Sequence, residues 1–271
     1  MKLIDCFMYF DENLVLDIRL NTLNDAVDKF VIAEATRDHA GKSKKLNFKI
    51  ENFSKFKHKI VYQVIDNLPL NVTSKKFRWH DNHMRDQFQR NSLAAGYKDA
   101  DPNDLIMISD IDEIPDPKKI KEFDIKNKYA CFLQKNFQSK INLLNITESY
   151  WSGTKICQKK NLKSPQWLRN IKTKKRSFLN IFKDRQPQLI EDGGWHFSFL
   201  KDPESIKRKI IAYSHQEYNK EEFTDIKNIE NKISNNKDLF NRDIKYKSVE
   251  IDSSFPNYIY KNKSKFKDWI V

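Results

Sequence analysis

Apolar residues fall in short runs along this chain, and the runs alternate between the spacing of strands and that of helices. Lys2–Tyr9, Phe30–Ala33, Lys59–Ile65 and Leu105–Ile108 read as strands. The second and fourth are unbroken apolar runs, as in strands buried on both faces. Between them, Glu12–Leu23 places Leu16, Leu20 and Leu23 on one side of a helix, Lys45–Phe56 reads as a short helix, and Trp79–Ala95 as a long one. That alternation predicts an α/β fold with a mostly parallel sheet. Downstream, Ala130–Lys140 reads as a longer strand, and Ile141–Trp151 as a transition toward Gly153–Cys157. Asp202-Pro203-Glu204 supplies a cap, a first-turn proline and a first-turn acid for a helix running to Tyr213. No repeat or low-complexity linker divides the 271 residues, and 39% hydrophobic content supports one sizeable core, so a single domain is expected.

The fourth strand runs straight into acid. Ser109-Asp110-Ile111-Asp112-Glu113-Ile114-Pro115-Asp116-Pro117 holds four carboxylates, no lysine or arginine, and two prolines that stop further strand or helix. Side chains at i and i+2 of an extended chain point the same way, so Asp110 and Asp112 can converge. Converging carboxylates repel unless one is protonated or a cation lies between them. Mg²⁺ and Mn²⁺ take oxygen ligands and leave positions for phosphate oxygens, and open α/β sheets bind ligands beyond the carboxyl ends of their strands. The plainer alternative is an acidic turn. In Glu191-Asp192-Gly193-Gly194-Trp195-His196-Phe197, two of only five glycines are adjacent, which points to positive φ or close backbone approach. His196 beside them is a better ligand candidate than the other five histidines, although a lone histidine is more often structural. On the long helix, Asp86 and Arg90 have the i, i+4 spacing of a surface ion pair, with Arg85 or Arg90 pointing into the site as the alternative.

Fifty basic against thirty-seven acidic residues give a net charge of +13, which favours nucleic acid, an anionic membrane face or phosphorylated substrates. Compositional drift toward lysine, asparagine and isoleucine would give the same excess. The densest basic stretch, 159–185, reads as a solvated segment, a flap over a diphosphate, or an approach to anionic lipid. Cys6, Cys131 and Cys157 are odd in number and sit in apolar surroundings, as reduced core thiols of a cytosolic protein would. The chain opens without a signal-like run and never approaches 18 consecutive apolar residues, so a soluble, cytoplasmic protein is expected. A metal-dependent nucleotidyl- or phosphotransferase is an alternative, although no Walker loop or GxGxxG is present. A basic nucleic-acid-binding module is another, for which the acid cluster is a poor centre.

Four stretches together resemble glycosyltransferase family 17. They are Ile4-Asp5-Cys6-Phe7-Met8-Tyr9-Phe10-Asp11-Glu12 with Arg19-Leu20-Asn21, Ser109-Asp110-Ile111-Asp112-Glu113-Ile114-Pro115, Gly194-Trp195-His196, and the tail Phe255-Pro256-Asn257-Tyr258-Ile259. The resemblance spans nearly the whole chain and is densest over 3–50, 104–117 and 193–218. It implies a GT-A type fold, a Rossmann-like, mostly parallel sheet flanked by helices. It also implies an inverting transfer that uses a nucleotide-sugar donor, best UDP-GlcNAc, with Mn²⁺ or Mg²⁺. The acceptor would be a glycan or lipid-linked saccharide, and no nucleic-acid partner is expected. Residues 1–117 would form the donor half and 118–271 the acceptor half. Carried over by position, Asp112 and His196 would bind the metal, and Asp110 the metal or the donor ribose. Glu113 and Pro115 close that motif. Glu34, Thr36 and Lys44 fall where the first nucleotide-binding loop would be. Asp192 is the first expectation for the base, with Glu191 and Glu113 as alternatives, while Trp151 and Trp195 could stack on sugar faces. The membrane anchor and stalk of animal members are absent from this sequence. The expectation is therefore a cytoplasmic enzyme of microbial or viral type, with peripheral contact at the inner face of an anionic membrane.

Overall fold

The structure is a computed structural model describing residues 1–70, 78–173 and 186–271, with the backbone alone for 78–80. Positions 174–185 of the basic stretch lie outside the described residues. The chain begins β1 (Leu3–Met8), α1 (Asn13–Leu23), β2 (Lys29–Ala35), β3 (Ile60–Ile65), α2 (Arg78–Ser92), β4 (Leu105–Asp110) and β5 (Glu113–Pro115). It continues α3 (Pro117–Ile120), β6 (Tyr129–Gln138), β7 (Leu143–Asn145), β8 (Tyr150–Gln158), α4 (Pro165–Asn170), β9 (Gln188–Ile190) and β10 (Gly194–Ser198). Last come α5 (Pro203–Ala212), α6 (Glu221–Thr224), α7 (Ile226–Ser234), β11 (Tyr246–Ser248) and α8 (Asn257–Lys261).

The sheet runs β11-β7-β6-β8-β4-β1-β2-β3. Strands β3, β2, β1 and β4 are all parallel, and β8 lies antiparallel between β4 and β6. Beyond that path, β9 and β10 run parallel to β6, and β10 pairs antiparallel with β5. This is the mostly parallel α/β sheet that the early strands predict, Rossmann-like as the resemblance implies, with antiparallel strands added beyond β4. Side-chain alternation sorts the apolar residues into two cores. Leu3, Phe7, Phe30, Ile32, Leu105 and Met107 face α1 and α8. Ile4, Cys6, Val31, Ala33, Ile106 and Ile108 face the opposite way, against Leu93, Tyr97 and α4. A smaller core joins α5, α6 and α7 beside Phe199. The three cysteines are buried and unbridged, as expected.

Two local readings change. The helix expected over Lys45–Phe56 reduces to a 3-10 turn, Ile50–Phe56, because the N–H groups of Asn47 and Phe48 donate to the Glu34 carboxylate (2.8 and 3.0 Å). Strand β8 starts at Tyr150, earlier than the apolar run alone indicates. Two other signals hold. Asp202 caps α5 by accepting from the Ser205 N–H at 2.8 Å, with Pro203 in the first turn. Gly194 has φ +136°, and a Cβ there would lie 2.2 Å from the Ile114 carbonyl, so the β10–β5 junction needs glycine.

Candidate active site

A cavity of about 350 Å³ opens at the carboxyl ends of β1 and β4 and beside the loop after β2. Met8, Asp110, Asp112, Lys44, His196 and Lys209 contribute to its wall. The sheet register explains who reaches it. Met8 pairs with both Asp110 and Ala33, so these three share one face. Glu34, one residue later, points to the other face. There it accepts from Asn47, Phe48 and Tyr62 (2.9 Å for the phenol) and pairs with Lys44. Glu34 therefore folds its loop rather than facing the cavity. Thr36 stays with β3, its N–H donating to the Ile65 carbonyl at 2.9 Å. Of Glu34, Thr36 and Lys44, Lys44 lines the cavity, beside Arg37, Asp38 and His39 of the same loop.

Below the acidic turn sits Arg19, a fully buried guanidinium with a complete set of partners. It meets both oxygens of buried Asp5 (2.8 and 2.6 Å), the Ser109 hydroxyl (2.6 Å) and the carbonyls of Asp110, Ile111 and Glu113 (3.2, 3.1 and 2.8 Å). This residue bolts α1 and β1 to the turn, and so fixes where the aspartates stand.

The two aspartates do not converge on one point, because the chain turns at Ile111 between β4 and β5. Asp110 lies between two guanidiniums, Arg90 at 3.1 Å and Arg169 at 2.9 Å. Burial works against its charge, but Arg169 and then Arg90 outweigh burial and hold its carboxyl well below the usual carboxylate range. Arg90 is 5% exposed and also grips Asp86, so the i, i+4 pair is an interior one that leads into the site. Arg85 instead ties loop carbonyls of His39, Pro69 and Leu70 together. Glu113 has no exposed surface. It accepts from Arg169, from the Trp151 indole N–H at 2.6 Å and from the Asp110 N–H at 3.0 Å. With those lone pairs taken, Glu113 holds the turn and is not placed to receive an acceptor's proton.

Asp112 is held more loosely. Its Oδ2 lies 3.4 Å from Lys209 Nζ and its Oδ1 3.8 Å from His196 Nε2. The His196 Nδ1 stands 3.1 Å from Asn136 Oδ1, an acceptor that favours an N–H on Nδ1 and turns Nε2 toward Asp112. Trp151 stacks on the imidazole at 4.7 Å and 20°, with part of its ring still exposed. The 3.8 Å gap between Asp112 and His196 is within the span of two metal bonds of about 2.1 Å each, so both groups could touch one divalent cation, which would need further ligands from outside this pair. Asp110 does not fit as a third ligand while both its oxygens carry guanidiniums. Among the described residues, no group of three His, Cys, Asp or Glu side chains is arranged to hold a metal.

Asp192 and Glu191 are exposed in the turn before β10 and outside the cavity wall. Asp192 has φ +46° and accepts from the Tyr150 hydroxyl at 2.9 Å, the geometry of a turn residue. Trp195 is buried, its N–H donating to the Ser254 carbonyl at 3.1 Å, so of these two tryptophans it is Trp151 that lines the cavity. Arg19 stands in one of the family-like stretches but with no role assigned from sequence, and Arg169, Lys209 and Asn136 carry no strong sequence signal. Arg169 is hidden in the basic stretch, and Lys209 is one of several cations on α5. No helix among the described residues is long and apolar enough to cross a membrane.

Residues 1–267 match the model of glycosyltransferase family 17. The human and rat β-1,4-mannosyl-glycoprotein 4-β-N-acetylglucosaminyltransferases are each 24% identical to this chain over 221 residues, covering 73% of it. The mouse enzyme of the same description is 23% identical over the same length. The match takes in only 40% of each of these longer relatives. A solved structure, the inositol-1-phosphate CTP transferase from T. maritima, overlays with a TM-score of 0.33 and 10% identity across 100% of this chain and 98% of that one, too slight a likeness to bear on the fold. With a family match over nearly its full length, this chain belongs to glycosyltransferase family 17.

Proposed function

We propose that the protein transfers N-acetylglucosamine from UDP-GlcNAc, with inversion and with Mn²⁺ or Mg²⁺, to a glycan or lipid-linked saccharide. The observation that carries this reading is the Asp112–His196 pair, 3.8 Å apart, on a cavity at the carboxyl ends of β1 and β4. A divalent cation held by that pair would offset charge on the departing diphosphate. Arg90 and Arg169 keep Asp110 ionised and fixed, which leaves it as a hydrogen-bond acceptor for the donor ribose. The open part of the Trp151 ring suits the apolar face of an acceptor sugar. The proton of the attacking hydroxyl goes to a carboxylate on the cavity wall, a role worth ~10²–10⁴-fold in rate. The basic stretch at 159–185 supports an acceptor presented at an anionic membrane surface.

The test is release of UDP from UDP-GlcNAc and other UDP-sugars, with and without Mn²⁺, across a panel of saccharide acceptors. Asp112→Ala should melt like the wild type and lose transfer by at least about 100-fold, since changes even outside the metal ligands cost 10–100-fold. Unchanged transfer by this variant at saturating Mn²⁺ overturns the reading. Release of GlcNAc 1-phosphate in place of UDP would point to nucleotidyl transfer, and release of UMP to transfer of the sugar phosphate.

A further inference from the structure

The Lys209 ammonium occupies an unusual position on the cavity wall. It sits 3.4 Å from Asp112 Oδ2 and 3.5 Å from Glu12 Oε1, and 5.3 Å from the centre of the Phe199 ring. None of these is the 2.7–2.9 Å contact of a tight charge-assisted bond. The neighbouring cations differ. Arg169 holds Asp110 at 2.9 Å, and Arg19 holds Asp5 at 2.6 Å. Lys209 is thus shared between two carboxylates and tied closely to neither.

Its departure would leave little unsatisfied. Glu12 keeps Lys201 at 3.6 Å and the N–H groups of Phe10 and Asp11, both at 3.0 Å. Asp112 alone would lose its cation. A divalent ion on Asp112 and His196 would supply that charge and repel the ammonium beside it. Lysine is a compact charge on a flexible four-carbon stem, able to turn within the same cavity. We propose that Lys209 is an exchangeable cation, neutralising Asp112 in the empty enzyme and turning to the donor's diphosphate once a divalent ion takes Asp112. This rests on the reading of Asp112 and His196 as metal ligands.

The exchange makes two opposite predictions for Lys209→Met. Without nucleotide, Mn²⁺ measured by electron paramagnetic resonance should bind about tenfold more tightly than to the wild type, because no internal cation competes. At saturating Mn²⁺, UDP measured by calorimetry should bind about tenfold more weakly, because the displaced ammonium is missing. Each tenfold corresponds to about 1.4 kcal/mol. UDP affinity left unchanged by the variant at saturating Mn²⁺ overturns the proposal, because the ammonium then does not reach the diphosphate. So does unchanged Mn²⁺ affinity in the variant. If the wild type binds no Mn²⁺ even with UDP present, the metal reading fails and this inference with it. Labelling of the wild type by an amine-reactive reagent gives a check independent of the variant's folding. Lys209 should be protected alone, exposed with Mn²⁺, and protected again with Mn²⁺ plus UDP, and constant protection would overturn the exchange.

Discussion

Glu12 shows how single charges set the conditions under which this site exists. Its side chain is buried under the cavity floor, where desolvation alone would raise its pKa. Lys201, Lys209 and the N–H groups of Phe10 and Asp11 outweigh burial and lower it from the ordinary 4.5 to about 2. The folded value lies below the unfolded one, so the stabilisation is complete above about 4.5 and is lost as pH falls through about 2. A drop from 4.5 to about 2 is worth roughly 3 kcal/mol. Glu12→Gln should therefore be less stable than the wild type by about that amount at pH 6, and the gap should close toward pH 2. Urea midpoints at several pH values measure it, and a gap constant with pH would show that Glu12 carries no such charge interaction. Arg19 works by the same logic in a drier setting. It has no exposed surface, and its partner Asp5 has none either, so removing one alone would strand a buried charge.

Helix α4 carries Arg169, and local signals build it. Ser164 caps it by accepting from the Trp167 N–H at 3.1 Å, and Pro165 occupies the first turn. At the other end, the Lys155 ammonium reaches out of β8 and donates to the carbonyls of Arg169 and Ile171, the latter at 2.7 Å. Burial, and then the charge of Arg169, lower the Lys155 pKa to about 8, so the donor is still protonated at neutral pH. Lys155→Met would leave two buried carbonyls without their donor, at about 1–3 kcal/mol, and loosen Arg169 from Asp110 and Glu113. The expected result is a lower melting temperature and a fall in kcat of up to about 100-fold, the cost of small misplacements at a site. Full kcat in a destabilised variant would show that α4 serves the fold alone. The role of Arg169 is not visible in the chain itself, where it is one cation among many between 159 and 185. What could be read were features that depend on neighbours in sequence: the apolar runs of β1, β2 and β4, the cap of α5, and the glycine pair before His196. What could not be read depends on register. Glu34 and Asp110 both follow buried strands, yet they point to opposite faces of the sheet because of which residues β1 pairs across to β2 and β4. The length of β8 was hidden similarly, since its first residues, Tyr150–Ser152, are exposed.

At the scale of the whole molecule, the sheet order decides whether a donor half and an acceptor half can exist separately. A cut after residue 117 looks natural along the sequence, since Pro117 follows the acidic turn. Across the sheet it passes between β4 and β8, which pair over Leu105–Ile108, and between β5 and β10, which pair over Glu113–Pro115. The fragment 1–117 would expose the long apolar edge of β4, a row of unpaired backbone groups of the kind that drives aggregation. It would also leave Asp110 and Glu113 without Arg169, and Asp112 without His196 and Lys209. Paired with one another, these groups are tolerable in a low-dielectric interior; alone, they are not. The cavity itself takes wall residues from both sides of the cut. Expressed separately, residues 1–117 and 118–271 should each lack a cooperative thermal transition and bind no UDP, whereas the intact chain should melt in a single transition that UDP with Mn²⁺ shifts upward. A fragment 1–117 that melts cooperatively and binds UDP would show that the donor site is complete without β8 and β10, and that the charges from α4 and α5 are additions to it rather than parts of it.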